Sequence, residues 1–142
     1  MQVRQGTLEE ALNIARQIKE FSQTTTRESL KQRLEGKSSL ILVAEENQQL
    51  LGFKMGYRLD ESIFYSWLGG VVVNARGKGI AQALLDEQEK WARDHNYQNI
   101  TVKSRNQFPS MLRLLLRNDY LIDNYEKRDN PLASRIHFIK KL

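Results

Sequence analysis

The stretch that most constrains this chain is Leu68-Gly-Gly-Val-Val-Val-Asn-Ala-Arg-Gly-Lys-Gly-Ile-Ala-Gln-Ala-Leu-Leu85. Its first part is a β-branched run ending at Val73. Beyond Arg76-Gly77-Lys78-Gly79 the apolar residues change period from two to about 3.6. That pattern predicts a strand, a phosphate-type loop and a helix. Gly77 and Gly79 lack a Cβ, so a bulky anion can approach the backbone there. The first turn of the helix leaves N–H groups unpaired at the positive end of its macrodipole, and residues 77 to 81 would present them to phosphate oxygens. Arg76 and Lys78 add positive charge. Three or four such bonds, at roughly 1.5–3 kcal/mol each, would hold a diphosphate with useful affinity.

Spacing excludes two other phosphate loops. No Gly-x4-Gly-Lys-Ser/Thr occurs, and Gly77-x-Gly79-x-x-Gln82 lacks the third glycine of a dinucleotide fingerprint. A chain of 142 residues suits one domain with a proper core. The absence of cysteine removes disulfides, thiolate metal sites and a cysteine acyl-enzyme, and His95 and His137 lie far apart in sequence, so no metal is expected. The start, Met1-Gln-Val-Arg-Gln-Gly-Thr-Leu, holds no apolar signal core, and no run approaches membrane-spanning length. A cytoplasmic protein without a membrane partner is the expectation. The net charge of +5 suits an anionic cofactor or an acidic partner. Because the cations are scattered and do not interleave with aromatics, a nucleic-acid partner is not expected.

Taken in order, Val3-Arg-Gln reads as a short strand, and Thr7 with Glu10 reads as a capping box for a helix from Leu8 to about Phe21. A second helix is predicted from Arg27 to Leu34, stopped by Gly36. Ser39 to Glu45, Leu50 to Leu59 and Ile63 to Val73 follow as strands, the first two joined by a turn at Asn47-Gln48-Gln49. The helix from Gly79 to Asp94 buries Ile80, Leu84, Gln88 and Trp91 on one stripe and leaves Asp86, Glu87, Glu89, Lys90 and Arg93 to solvent. Asn99 to Ser104 returns as a strand, parallel to the one before the helix because such crossovers are right-handed. Ser110 to Arg117 is a short apolar helix, and Tyr120 to Lys127 with Ser134 to Lys140 closes the chain as a hairpin. The Leu112 to Leu116 helix and this hairpin either complete the core or form a homodimer face. The fold class is α+β: a mixed, mostly antiparallel seven-stranded sheet in a three-layer arrangement with four helices.

Arg76-x-x-Gly79-x-Ala81, placed after a Val-rich strand and before an amphipathic helix, resembles motif A of the GNAT superfamily of acetyl-CoA-dependent N-acetyltransferases. The element order resembles the complete GNAT topology over nearly all of residues 1–142. The resemblance implies that Arg76, Gly77, Lys78, Gly79, Ile80 and Ala81 bind the pyrophosphate of coenzyme A. It also implies a bulge at Gly69-Gly70-Val71, where the fourth strand parts from the fifth. Backbone groups of Val71 and Val73 would then pair with the pantetheine amides, with the Val71 N–H donating to the thioester oxygen. One such oxyanion donor is worth roughly 3 kcal/mol. Asn106 would contact the cofactor, and Arg113 or Arg117 would reach the 3′-phosphate or face solvent.

The chain departs from the family at two places. Val73 stands where many members have proline, and Leu114-Leu115-Leu116-Arg117-Asn118-Asp119-Tyr120 replaces Leu-Tyr-x-x-x-Gly-Phe, so that Leu115 takes the place of the tyrosine that serves as general acid. A thiol of pKa about 8.5 leaves as thiolate at pH 7 at a cost of only about 2 kcal/mol. An amine of pKa about 10.4 must first lose a proton, at about 4.6 kcal/mol, so a base matters more than an acid. The family's strand-four glutamate corresponds to Tyr65, a poor base. Candidates for proton removal are Tyr65 as a relay together with Glu61, Asp60 or Glu45, and Tyr125 is a further acid. The implied reaction is acetyl transfer to a primary amine by direct attack in a ternary complex. The acceptor would be a small molecule, a peptide N-terminus or a protein lysine. The alternative is a catalytically silent sensor that binds coenzyme A.

Overall fold

A computed structural model describes all 142 residues. The elements are β1 (Gln2–Gln5), α1 (Leu8–Ala15), α2 (Arg27–Leu34), β2 (Ser39–Glu46), β3 (Gln49–Arg58), β4 (Ile63–Val71), α3 (Ile80–Asp94), β5 (Asn99–Arg105), α4 (Pro109–Arg117), β6 (Leu121–Glu126) and β7 (Arg135–Lys141). They form one sheet in the order β1-β2-β3-β4-β5-β7-β6. Every neighbouring pair is antiparallel except β4 and β5, which run parallel and are joined by the α3 crossover, the kind of long connection a parallel pair needs. The mixed seven-stranded sheet with four helices is the expected architecture.

Each face of the sheet carries its own apolar cluster. On one, α3 and α4 bury Ile80, Leu84, Leu85 and Leu115 against Leu40, Leu42, Phe64, Ile100 and Phe138. On the other, α1 and α2 cover Val43, Phe53 and Met55 with Leu12, Ile14, Ile18 and Leu30. The alternation of β3 divides its residues between them. Phe53 and Met55 point to α1, while Gly52 lies beneath Ile80 and Leu84 of α3.

Local chemistry sets the element ends. The Thr7–Glu10 capping box forms in both directions, with Glu10 N–H on Thr7 Oγ1 at 3.1 Å and Thr7 N–H on Glu10 Oε1 at 3.0 Å. Arg4 joins Glu10 to Glu45 at 2.6 and 2.7 Å, which holds the Glu10 carboxyl down near 2, with the Thr7 backbone adding to the effect. α1 stops at Ala15 rather than Phe21: i→i−3 bonds from Gln17 and Ile18 tighten its end. The chain then turns so that both Ile18 and Phe21 reach the sheet, with the Phe21 ring 6.0 Å from that of Phe53. The β2–β3 turn has two residues, Asn47 and Gln48, each at positive φ, because that geometry matches the strand twist. Glu89 corrects another expectation. It is only 5% exposed, because the closing hairpin covers its side of α3, and it accepts bonds from Tyr120 Oη and Lys140 Nζ, both at 2.9 Å.

Candidate active site

β4 and β5 pair from Ile63/Asn99 to Ser66/Val102 and no further, although β4 continues to Val71 and β5 to Arg105. The sheet therefore opens into a fork. The bulge lies at its base, at Trp67 rather than at the glycines: Met55 faces Leu68 and Gly56 faces Ser66, while Gly69 and Gly70 pair regularly with Lys54 and Phe53. The reason is steric. The extra residue gives the Trp67 ring room beside Tyr57 at 6.1 Å and beneath the Arg33 guanidinium at 4.8 Å. Gly70 instead admits the α1–α2 connection, since a Cβ there would lie 2.7 Å from Ile18 Cδ1.

Val72 N–H donates to Leu51 O at 2.9 Å, towards β3. Because strand amides alternate between neighbours, those of Val71 face the fork. Arg76 Nε meets the Val71 carbonyl there at 3.1 Å. Val73 departs from expectation. β4 has ended, and Val73 opens a 3₁₀ turn, 64% exposed, with its carbonyl accepting Arg76 N–H at 3.3 Å.

At the head of the fork Gly77 and Gly79 take φ of 77° and 80°, and Gly79 is the N-cap of α3. A Cβ at either would meet nothing within 4 Å, so backbone conformation rather than room demands glycine. The first helical bond runs from Ala83 N–H to Gly79 O at 3.0 Å, and the N–H groups of residues 77 to 82 have no acceptor in the protein. Ile80 is buried and anchors the turn, whereas Arg76 and Lys78 are exposed. A reciprocal amide pair between Gln82 and Asn118, at 2.8 and 3.0 Å, ties this first turn to the end of α4.

The remaining sequence candidates scatter. Glu61 sits in the turn before β4, roughly 25 Å of strand from Val71, which takes it away from the fork. Asp60 caps that same turn through the Ser62 and Ile63 N–H groups, and these hold its carboxyl below the usual range. Glu45 is committed to Arg4. Asn106 donates to Pro131 O at 3.0 Å, a tie to the β6–β7 connection. Arg113 and Arg117 face solvent, and Tyr125 is half exposed on the edge strand β6. Leu115 is fully buried in the α3-side core.

Tyr65 is the one candidate acid or base placed beside the fork, one residue below its last paired position. Burial raises its hydroxyl, reinforced by Tyr57, so the group keeps its proton at neutral pH. It lines a cavity of about 320 Å³ with Arg33, Thr101, Lys103, Asp123 and His137. A second cavity of about 540 Å³, between the α1–α2 connection and the end of β5, shares Arg33 and adds Trp67 and Arg105. Both open on the α2 side, opposite α3.

Residues 8–119 match the model of the Acetyltransferase (GNAT) family. The chain belongs to that family. Among solved structures it resembles Ard1 from Thermoplasma volcanium, at 16% identity with a TM-score of 0.84, over 99% of this chain and 97% of that one. A GNAT family acetyltransferase from Elizabethkingia anophelis with acetyl-CoA bound gives 16% identity and a TM-score of 0.80, over 99% and 97% of the two chains. The ribosomal-protein-S18-alanine N-acetyltransferase from Escherichia coli gives 11% and 0.85, over 99% and 92%. At these identities the likeness shows the fold. No curated protein matches the sequence.

Of the residues lining these cavities, the sequence did not single out Arg33, Trp67, Thr101, Lys103 or Arg135, and it marked His137 only for its distance from His95. A signal existed on the strands: Thr101, Lys103 and Arg105 alternate along one face of β5, opposite Ile139, His137 and Arg135 of β7. No local motif marks them. No helix is long and apolar enough to cross a membrane.

Proposed function

We propose that this acetyltransferase moves the acetyl group of acetyl-CoA to a primary amine by direct attack in a ternary complex. The observation that carries the reading is the fork: free backbone N–H groups of residues 77 to 82 at its head, the Val71 N–H along its side and a cavity on the far face. These residues fit acetyl-CoA, because a diphosphate needs unpaired donors and a pantetheine needs strand-like amides left over by a missing neighbour. Arg76 and Lys78 would add charge at the phosphates, and Val71 N–H would hold the thioester oxygen. Val73 contributes less than a strand residue would, since its carbonyl is occupied.

In the reaction the amine nitrogen bonds to the thioester carbon, the C–S bond breaks, and the nitrogen gives up a proton. Tyr65 holds its own proton and so orders a water or the amine rather than removing a proton. The carboxylate and the imidazole that share its cavity belong to Asp123 and His137, and His137 Nε2 contacts the Glu126 carboxylate, leaving Nδ1 for a proton. The His137–Glu126 pair replaces Glu61 in the proposal.

One observation favours the second reading, a silent coenzyme A sensor: Leu115 is sealed in the core and offers the thiolate no proton. Calorimetry with acetyl-CoA, run beside thiol release across a panel of primary amines, separates the two. Binding with amine-dependent release of thiol supports transfer. Binding with no release on any amine supports the sensor, and no binding sinks both.

A further inference from the structure

The cavity beside Tyr65 carries an excess of unpaired positive charge. Arg33, Lys103, Arg105 and Arg135 line it and its neighbour, and none of the four makes an ion pair. Arg105 and Arg135 are direct partners across β5 and β7, an arrangement of like charges that destabilises a sheet unless something else offsets it. Glu126, the partner of Arg135 on β6, is turned to His137 and Arg128 instead, which holds its carboxyl down near 2. The acids in the lining, Glu20 and Asp123, are exposed and make no ion pair.

Two of the positive groups are also held in place. Arg33 donates to Tyr57 Oη at 3.2 Å and stacks over Trp67, and the Lys103 ammonium lies 5.8 Å from the centre of the Tyr65 ring. Thr101 Oγ1, in the same lining, is buried with no hydrogen-bond partner. We infer that the acceptor is a small amine that carries a carboxylate or phosphate, its anionic group held by Arg33, Lys103 and Arg135 while its nitrogen faces Tyr65. This deepens the proposed transferase reading and rests on it. Cavities of about 320 and 540 Å³ match a small molecule rather than a folded protein surface.

The test compares phosphoethanolamine with ethanolamine, and aspartate with its diamide, as acceptors at fixed acetyl-CoA. The wild type is set beside Lys103→Gln/Arg135→Gln. The expected result is a kcat/KM about tenfold to a hundredfold higher for the anionic member of each pair, carried mainly by KM. That preference collapses in the double variant, while its acetyl-CoA affinity by calorimetry shows that it is folded. Equal or better use of the neutral amines overturns the inference and leaves the transferase reading standing. Turnover of an acidic tetrapeptide but of neither small anion overturns the small-acceptor assignment. If no amine is acetylated, the transferase reading fails, and titration of phosphoethanolamine into the coenzyme A complex decides the anion site by itself. Binding that needs Lys103 and Arg135 upholds the site, and no binding removes it.

Discussion

The two faces of the sheet differ in the groups they offer a ligand. Towards α3, the offer is a matter of main chain: two left-handed glycines, six N–H groups without acceptors and a strand that has lost its neighbour. Towards α2, it is a matter of side chains drawn from α2, β3, β4, β5, β6 and β7. Backbone donors suit a ligand whose chemistry never changes, since any side chain compatible with the required φ will serve. Side chains suit a ligand that differs from one relative to the next.

The largest expected effect tests whether the α3 side is a rigid scaffold. Leu115→Ala, at a position with no solvent exposure, should lower stability by about 2–5 kcal/mol in denaturant melts, through lost burial and the cavity left behind. A loss under about 1 kcal/mol would mean that this core yields and that the loop is not rigidly held.

Lys54 sharpens the contrast from the opposite direction. It is 6% exposed on the α3 side of β3 with no acceptor for its ammonium, and burial lowers it to about 8, against the pull of Glu89. Below pH 8 both folded and unfolded chains carry the proton and the full penalty applies. Between about 8 and 10.5 only the unfolded chain keeps it, so wild-type stability rises with pH. Lys54→Met should therefore gain up to about 3 kcal/mol at pH 7, shrinking towards zero near pH 10. A pH-independent difference in chemical denaturation would show that the ammonium is not the cause.

Gly79→Val asks whether the loop binds through its backbone. Forcing a β-branched residue to positive φ costs about 1–2 kcal/mol and misaligns the amides. Acetyl-CoA affinity should fall about tenfold to a hundredfold by calorimetry. Unchanged affinity would remove the phosphate assignment.

The smallest effect lies on the other face. Thr7→Ala breaks the α1 capping box and should cost about 1 kcal/mol of stability. Acetyl-CoA affinity should stay level, and a parallel drop would show that the two faces are coupled.

The loop and its helix were legible because Gly77, Gly79 and the change of period are adjacent in the chain. The fork was legible only by family resemblance, and its bulge, expected at Gly69-Gly70-Val71, lies two residues earlier, at Trp67. Glycines mark close approach as well as bulges, and here Gly70 marks the passage of Ile18. The capping box of α1 was readable, but its early end at Ala15 was not, since the apolar spacing continues through Ile18 while the chain bends to lay Ile18 and Phe21 on the sheet. The carboxylates scatter for a related reason: Glu61 is near Tyr65 in sequence and beyond the start of β4 in space.

By itself the sequence determined the element order, the Gly77–Gly79 turn into α3 and the one parallel pair, because the turn depends on residues a few positions apart and the parallel pair follows from the crossover that it opens. Tertiary structure decided the lining of the α2 side. The extra residue at Trp67 reverses the alternation of β4, so that Tyr65, Trp67 and Gly70 share the α1–α2 face while Val71 packs under α3. Which residues meet there depends on strand register, Tyr65 beside Thr101 and Lys103 beside His137, and register is set by how both faces pack at once.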